Sequence, residues 1–185
     1  MRLFVSLELP AVLREGLRAA CERGRRGGVL WVPAENVHLT LKFLGEVQYR
    51  LVPELKAAVA AVAGGAAPFD LSLAGAGCFP SVRAPRVIWV GVDRGADEAT
   101  ALAAAVERAL APLGFAAEAR PFRAHLTIGR VKEEKSGAAT CATKLKGFAS
   151  FAASPARTEA LALIKSTLMP AGSAYDEVAR FPLGG

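Results

Sequence analysis

Along the chain the spacing of apolar residues switches between a period of two and a period near 3.6, and each switch marks an element. Leu3, Phe4, Val5 and Leu7 predict a strand over Arg2–Leu9. Pro10 opens a predicted helix to about Arg26, with Leu13, Leu17 and Ala20/Cys21 on one stripe and Gly27-Gly28 at its end. Val29–Val32 reads as a short strand and Asn36–Leu44 as a longer one that stops at Gly45. Leu51, Leu55, Val59 and Val62 space out as a helix closed by Gly64-Gly65, and strands follow around Phe69–Leu73 and Arg86–Val92.

The second half repeats this order loosely. Asp97 is the expected cap of a helix carrying Leu102, Val106, Leu110 and Leu113 on one face, with Gly114 past its end. Phe122–Val131 is a predicted strand, and Lys132–Ala138 a charged loop expected to be mobile. A short helical or irregular stretch precedes strands near Gly147–Ala153, Arg157–Leu168 and Tyr175–Phe181. Strands clustered in hairpin-like runs predict a mostly antiparallel α+β architecture. A length of 185 residues fits one domain, 1–185, or two small lobes sharing a core.

Composition narrows the partners. The net charge of +6 favours an anion, nucleic acid being the commonest, and equally fits a generally basic surface. Leu3–Leu9 is too short for a secretory signal and contains Glu8, and no apolar run spans a bilayer. A soluble, cytoplasmic protein with no membrane contact and no obligate protein partner is the expectation. Cys21, Cys78 and Cys141 are widely spaced with no C-x-x-C pair, which argues against a disulfide framework and a zinc ribbon. Cys21 falls on the apolar side of its helix. No phosphate-binding or dinucleotide-binding glycine loop occurs. Neither metal nor cofactor is expected.

Both histidines of the chain open the same pattern, His38-Leu39-Thr40-Leu41 and His125-Leu126-Thr127-Ile128. At ordinary residue usage that coincidence arises in roughly one chain in 40,000. The motifs lie 87 positions apart, the spacing of a duplicated half-domain carrying one His-x-Thr strand each. Residues i and i+2 of a strand share a face, so each His projects with its Thr while the apolar partners turn to a core. Two such strands would line one groove with two imidazoles and two hydroxyls. One imidazole can take a proton from an attacking oxygen and the other protonate the leaving oxygen, with the hydroxyls donating to phosphate oxygens.

The paired motifs resemble the H-x-T-x signatures of the 2H phosphoesterase superfamily. The context is similar to its RNA 2′,3′-cyclic phosphodiesterase branch, the 2′-5′ RNA ligase-like proteins. The matching stretches are Arg2–Val5, Trp31-Val32-Pro33, Glu35–Gly45, Phe79-Pro80, Arg86–Val92, His125–Arg130, Ser166 and Tyr175. The resemblance implies a bilobal fold of two antiparallel sheets with pseudo-two-fold symmetry around a central groove, helices outside. It implies opening of RNA 2′,3′-cyclic phosphate ends to a 2′-phosphate, with His38 as proton donor and His125 as acceptor. Ala124 stands where the family often has Pro.

Around the motifs, Arg130 is a candidate phosphate contact beside Thr40 and Thr127, although strict alternation puts it on the wrong face. Gly129 and the nearby strand end are what would let it swing round. Lys42 shares parity with His38 and Thr40 and is a candidate substrate contact. Trp31, Phe79 and Tyr175 could stack on a terminal base, Phe79 being the best placed and Trp31 fitting a core better. Arg23, Arg25 and Arg26 complement a helix end. Two rival readings share these residues: the reverse 2′-5′ ligation, and a non-catalytic RNA-end or nucleotide-binding module. Loss of a His or Thr would favour binding alone; both pairs are intact.

Overall fold

A computed structural model describes residues 1–23, 29–131, 145, 148, 151–169 and 172–184. The strands are β1 (Arg2–Leu7), β2 (Val29–Trp31), β3 (Leu39–Glu46), β4 (Phe69–Pro80), β5 (Pro85–Val92), β6 (His125–Val131), β7 (Ala152–Thr158), β8 (Ala160–Met169) and β9 (Gly172–Pro182). The helices whose bounds lie within the described residues are α1 (Ala11–Arg23), α2 (Val52–Gly64) and α3 (Ala96–Leu110). The protein is α+β. One sheet has the order β3-β1-β8-β9 and the other β2-β6-β5-β4-β7, and every pairing is antiparallel.

β1 is buried almost throughout because it is flanked by β3 and β8. Leu3, Val5 and Leu7 join the main core, while Phe4 faces the other way with Ala162, Ile164 and Tyr175. In β6, Leu126 and Ile128 are fully buried, and His125 and Thr127 alternate with them on the open face. The sheets join where β7 runs into β8: the Thr158 hydroxyl donates to the Glu8 carbonyl at 2.8 Å, and the Glu8 amide donates to Ala160 at 2.9 Å. Each sheet carries one His-x-Thr segment, yet each draws strands from both halves of the chain.

Several expectations shift. His38 precedes β3 instead of lying on it, because Ala34–Asn36 forms a 3-10 turn in place of the predicted strand start. Asp97 is not the cap of α3: Gly95, at φ +85°, holds that position, and Asp97 sits in the first turn where its charge suits the dipole. One flank of α3 also borders the groove. Cys78 is disulfide-bonded, against the expectation from spacing, and Cys21 is buried as expected. The Lys132–Ala138 loop, the irregular stretch after it, and Arg25 and Arg26 lie outside the described residues. No described helix is long and apolar enough to cross a membrane.

Candidate active site

His38, Thr40, His125, Thr127 and Arg130 all line one groove of about 1160 Å³ between the two sheets. The turn before His38 is clamped from two sides. Arg14 of α1 donates from Nη1 to the carbonyls of Ala34 (3.3 Å) and Glu35 (3.0 Å), and from Nη2 to Leu9 (3.4 Å). The Asn36 side-chain amide donates to Ser173 at 3.0 Å, tying the turn to β9. His38 then lies against the edges of Tyr175 and Phe4, with ring centroids 5.2 and 5.6 Å away. Its Nε2 is buried without a hydrogen bond among the described residues. Burial first, and then the Arg14 guanidinium, push the His38 imidazole down from 6.5 to about 4.

His125 is held differently. Its Nδ1 lies 2.6 Å from the Arg123 carbonyl, which can only accept, so this nitrogen carries the proton. The other ring nitrogen, Nε2, is left as the basic one. The edge of Phe79 supports the ring at 5.0 Å, with Trp89 at 6.3 Å. The Trp89 indole covers Gly77 on β4, where any Cβ would run into it. Phe79 therefore packs onto the histidine and does not line the groove, whereas Tyr175 and Trp31 do. Trp31 also stacks on Phe148 at 6.0 Å, in keeping with its core reading.

The alternation that put Arg130 on the wrong face fails at a bulge. Trp89 pairs with Thr127 but Ile88 pairs with Gly129, so Ile128 is an extra residue on β6. Beyond it the parity flips, and Arg130 returns to the face of His125 and Thr127. A Cβ on Gly129 would sit 2.7 Å from Val29 Cγ1, so the close approach of β2 here suits glycine. The same device follows the first motif. Ser6 pairs with Thr40 but Val5 with Lys42, making Leu41 the extra residue.

That second bulge overturns the parity argument for Lys42. Its ammonium is buried, 2% exposed, 2.7 Å from Glu107 Oε2 and 2.8 Å from the Ala116 carbonyl, so its charge is committed to α3 and the segment after it. Phe43, paired with Phe4, takes the groove face instead and stands 64% exposed. Phe43 and Arg130 are thus each five residues after their histidine, beyond equivalent bulges. Reading both motifs to that offset would have singled out Phe43 from the sequence. Nothing in the local sequence marks Arg14 as the brace of His38. Among the described residues no three His, Cys, Asp or Glu side chains gather as a metal site.

Two histidines, one just before β3 and one on β6, thus line a single groove together with both motif threonines. A family model described as the 2′-5′ RNA ligase superfamily matches residues 8–168. The chain belongs to that superfamily. Among relatives of this superfamily member, a protein of Archaeoglobus fulgidus named RNA 2′,3′-cyclic phosphodiesterase is 35% identical over 98% of this chain and 99% of its own length. A protein of Thermus thermophilus with the same name is 33% identical over 100% of this chain and 91% of its own. Among solved structures, one from Thermus thermophilus superposes on this superfamily fold with a TM-score of 0.81 at 28% identity, covering 100% and 99% of the two chains. The E. coli LigT structure complexed with 3′-AMP gives 0.78 at 25% identity over 98% and 97%.

Proposed function

We propose that this protein is an RNA 2′,3′-cyclic phosphodiesterase that opens the terminal cyclic phosphate to a 2′-phosphomonoester by two-histidine acid–base catalysis without metal. The observation that carries the reading is the convergence of both His-x-Thr pairs, one from each sheet, on a single groove. Full-length similarity to relatives named for this activity supports it.

Water attacks phosphorus and gives its proton to His125 Nε2, the nitrogen left basic by the bond to Arg123. The bond from phosphorus to the 3′-oxygen breaks, and that oxygen takes a proton from His38, leaving phosphate on the 2′-oxygen. In the free protein His38 is neutral at pH 7. A bound phosphodiester anion beside it favours the imidazolium and so loads the acid only when substrate is present. Thr40 and Thr127 donate to the non-bridging oxygens, and Arg130 adds a charge-assisted contact.

The test incubates RNA ending in 2′,3′-cyclic phosphate with enzyme and EDTA and identifies the product by phosphorus NMR. Full turnover to a 2′-phosphate is expected. Activity lost on chelation and restored by a divalent ion would overturn the metal-free mechanism, and a 3′-phosphate product would reverse the leaving group.

A further inference from the structure

The groove is larger than one reacting nucleotide requires. Small-molecule sites fill about 300–1,000 Å³, and this one, at about 1160 Å³, extends past the histidines along α3. Thr100, Ala104 and Arg108 line it at helical spacing, with Ala103 and Glu107 beside them. Residues 100 to 108 span about 12 Å of helix, and the small side chains keep this wall shallow. Beyond the C-terminal end of α3, Arg120 lines the same groove.

We infer that this arm is a track for the RNA chain preceding the cyclic end, with Arg108 and Arg120 as its phosphate contacts. The inference rests on the function proposed above and names its substrate class: an oligoribonucleotide, in preference to a cyclic mononucleotide. Charge supports it. Five cations and three carboxylates line the groove. Glu107 is neutralised by Lys42, while Glu35 belongs to the turn before His38. That leaves Glu118 as the remaining carboxylate of the groove. Arg108 and Arg120 are exposed and make no ion pair among the described residues. A wall of about 12 Å accommodates roughly two to three phosphates of a single strand.

The experiment compares adenosine 2′,3′-cyclic phosphate with an oligoadenylate six nucleotides long ending in the same group, for the wild type and Arg108→Gln/Arg120→Gln. Fluorescence anisotropy with an oligoadenylate ending in a 3′-phosphate reads binding apart from chemistry. The wild type should favour the oligomer at least about tenfold in kcat/KM. The double variant should remove that preference through KM and leave the mononucleotide unchanged. Each lost phosphate contact should flatten the salt dependence of log affinity by about 0.7. Arg108 also complements the α3 dipole, so a melting curve accompanies the variant, and Arg108→Lys/Arg120→Lys should restore most of the preference. Equal kcat/KM for both substrates, or an unchanged double variant, would overturn the track. If the wild type turns over neither substrate yet binds the oligomer through these arginines, the track stands and the catalytic reading falls.

Discussion

His38 lies between the edges of Phe4 and Tyr175, its Nε2 is buried without a partner among the described residues, and burial first, with Arg14 adding to it, pushes its imidazole down to about 4. His125 rests on Phe79 and Trp89 and is fixed by a 2.6 Å bond from Nδ1 to a backbone carbonyl. The tetrapeptides that carry them are nearly identical, so the chemical difference comes from neighbours. A carbonyl selects a tautomer and makes a base; an apolar cleft, reinforced by the Arg14 cation, keeps the other ring uncharged until an anion arrives. The sequence pattern is symmetric, and the surroundings break that symmetry.

The comparison breaks first if either histidine is dispensable. His38→Ala and His125→Ala should each lower kcat/KM on a cyclic phosphate end by about 10²–10⁴-fold. The double variant should be far less than multiplicatively worse, because the pair acts as a unit. A single variant with near-normal rates would make that histidine structural.

Thr40→Val and Thr127→Val test whether the two halves hold the phosphate equally. Each should cost about 2 kcal/mol in kcat, with a smaller change in KM, since a donor to growing charge acts mainly in the transition state and water can partly replace it. No change at either position would reduce the His-x-Thr spacing to strand packing.

The His38 side should make the fold sensitive to acid. The folded pKa near 4 lies below the ordinary 6.5, so between these values the unfolded chain binds more protons. Stability therefore rises with pH through that window and is lost as pH falls through it. Discounted for partial exposure, the contribution is about 2 kcal/mol. Denaturant unfolding at pH 7 and pH 4.5 measures it, and His38→Gln should flatten the difference.

The smallest effect sharpens the cause. Arg14→Gln should raise the His38 pKa, read by NMR titration of the ring, and lower kcat about tenfold by loosening the turn that aims it. In the wild type the acid limb of kcat/KM should fall near pH 4, and the matching limb of kcat should lie higher, where the bound anion favours protonation. Coincident limbs would remove substrate loading of the acid.

Periodicity in the sequence located most strands and helices of the described residues to within a few positions, because one face of each is buried, but β4 runs on to Pro80, seven residues past the expected Leu73, and β7 lies about five residues beyond the strand expected near Gly147–Ala153. Leu39, Leu126 and Ile128 turned inward as alternation required. What alternation could not reveal was pairing. The bulges at Leu41 and Ile128 exist only relative to β1 and β5, and they decide that Arg130 faces the groove and that Lys42 pairs with Glu107. Likewise, Arg14 acts on a turn 20 residues away through backbone carbonyls, which have no sequence signature. Phe79 was singled out as a stacking platform for a base, and its neighbour proved to be His125, because β4 and β6 flank β5 and bring the two rings together.

The interleaving of the sheets also bears on how the molecule comes into being. β1 pairs with β8 in a register that joins Leu3 to Lys165, and β9 completes that sheet from the far end of the chain. Contacts of such sequence separation form slowly, because a long loop must close before they contribute. During synthesis the β1–β3 pair emerges early, with one edge of β1 lacking its partner until more than a hundred further residues have followed. The lobe holding His38 is thus completed after the strands of the lobe holding His125 have emerged. Fragments cut between the motifs should be aggregation-prone rather than half-active, since each would expose an unpaired strand edge.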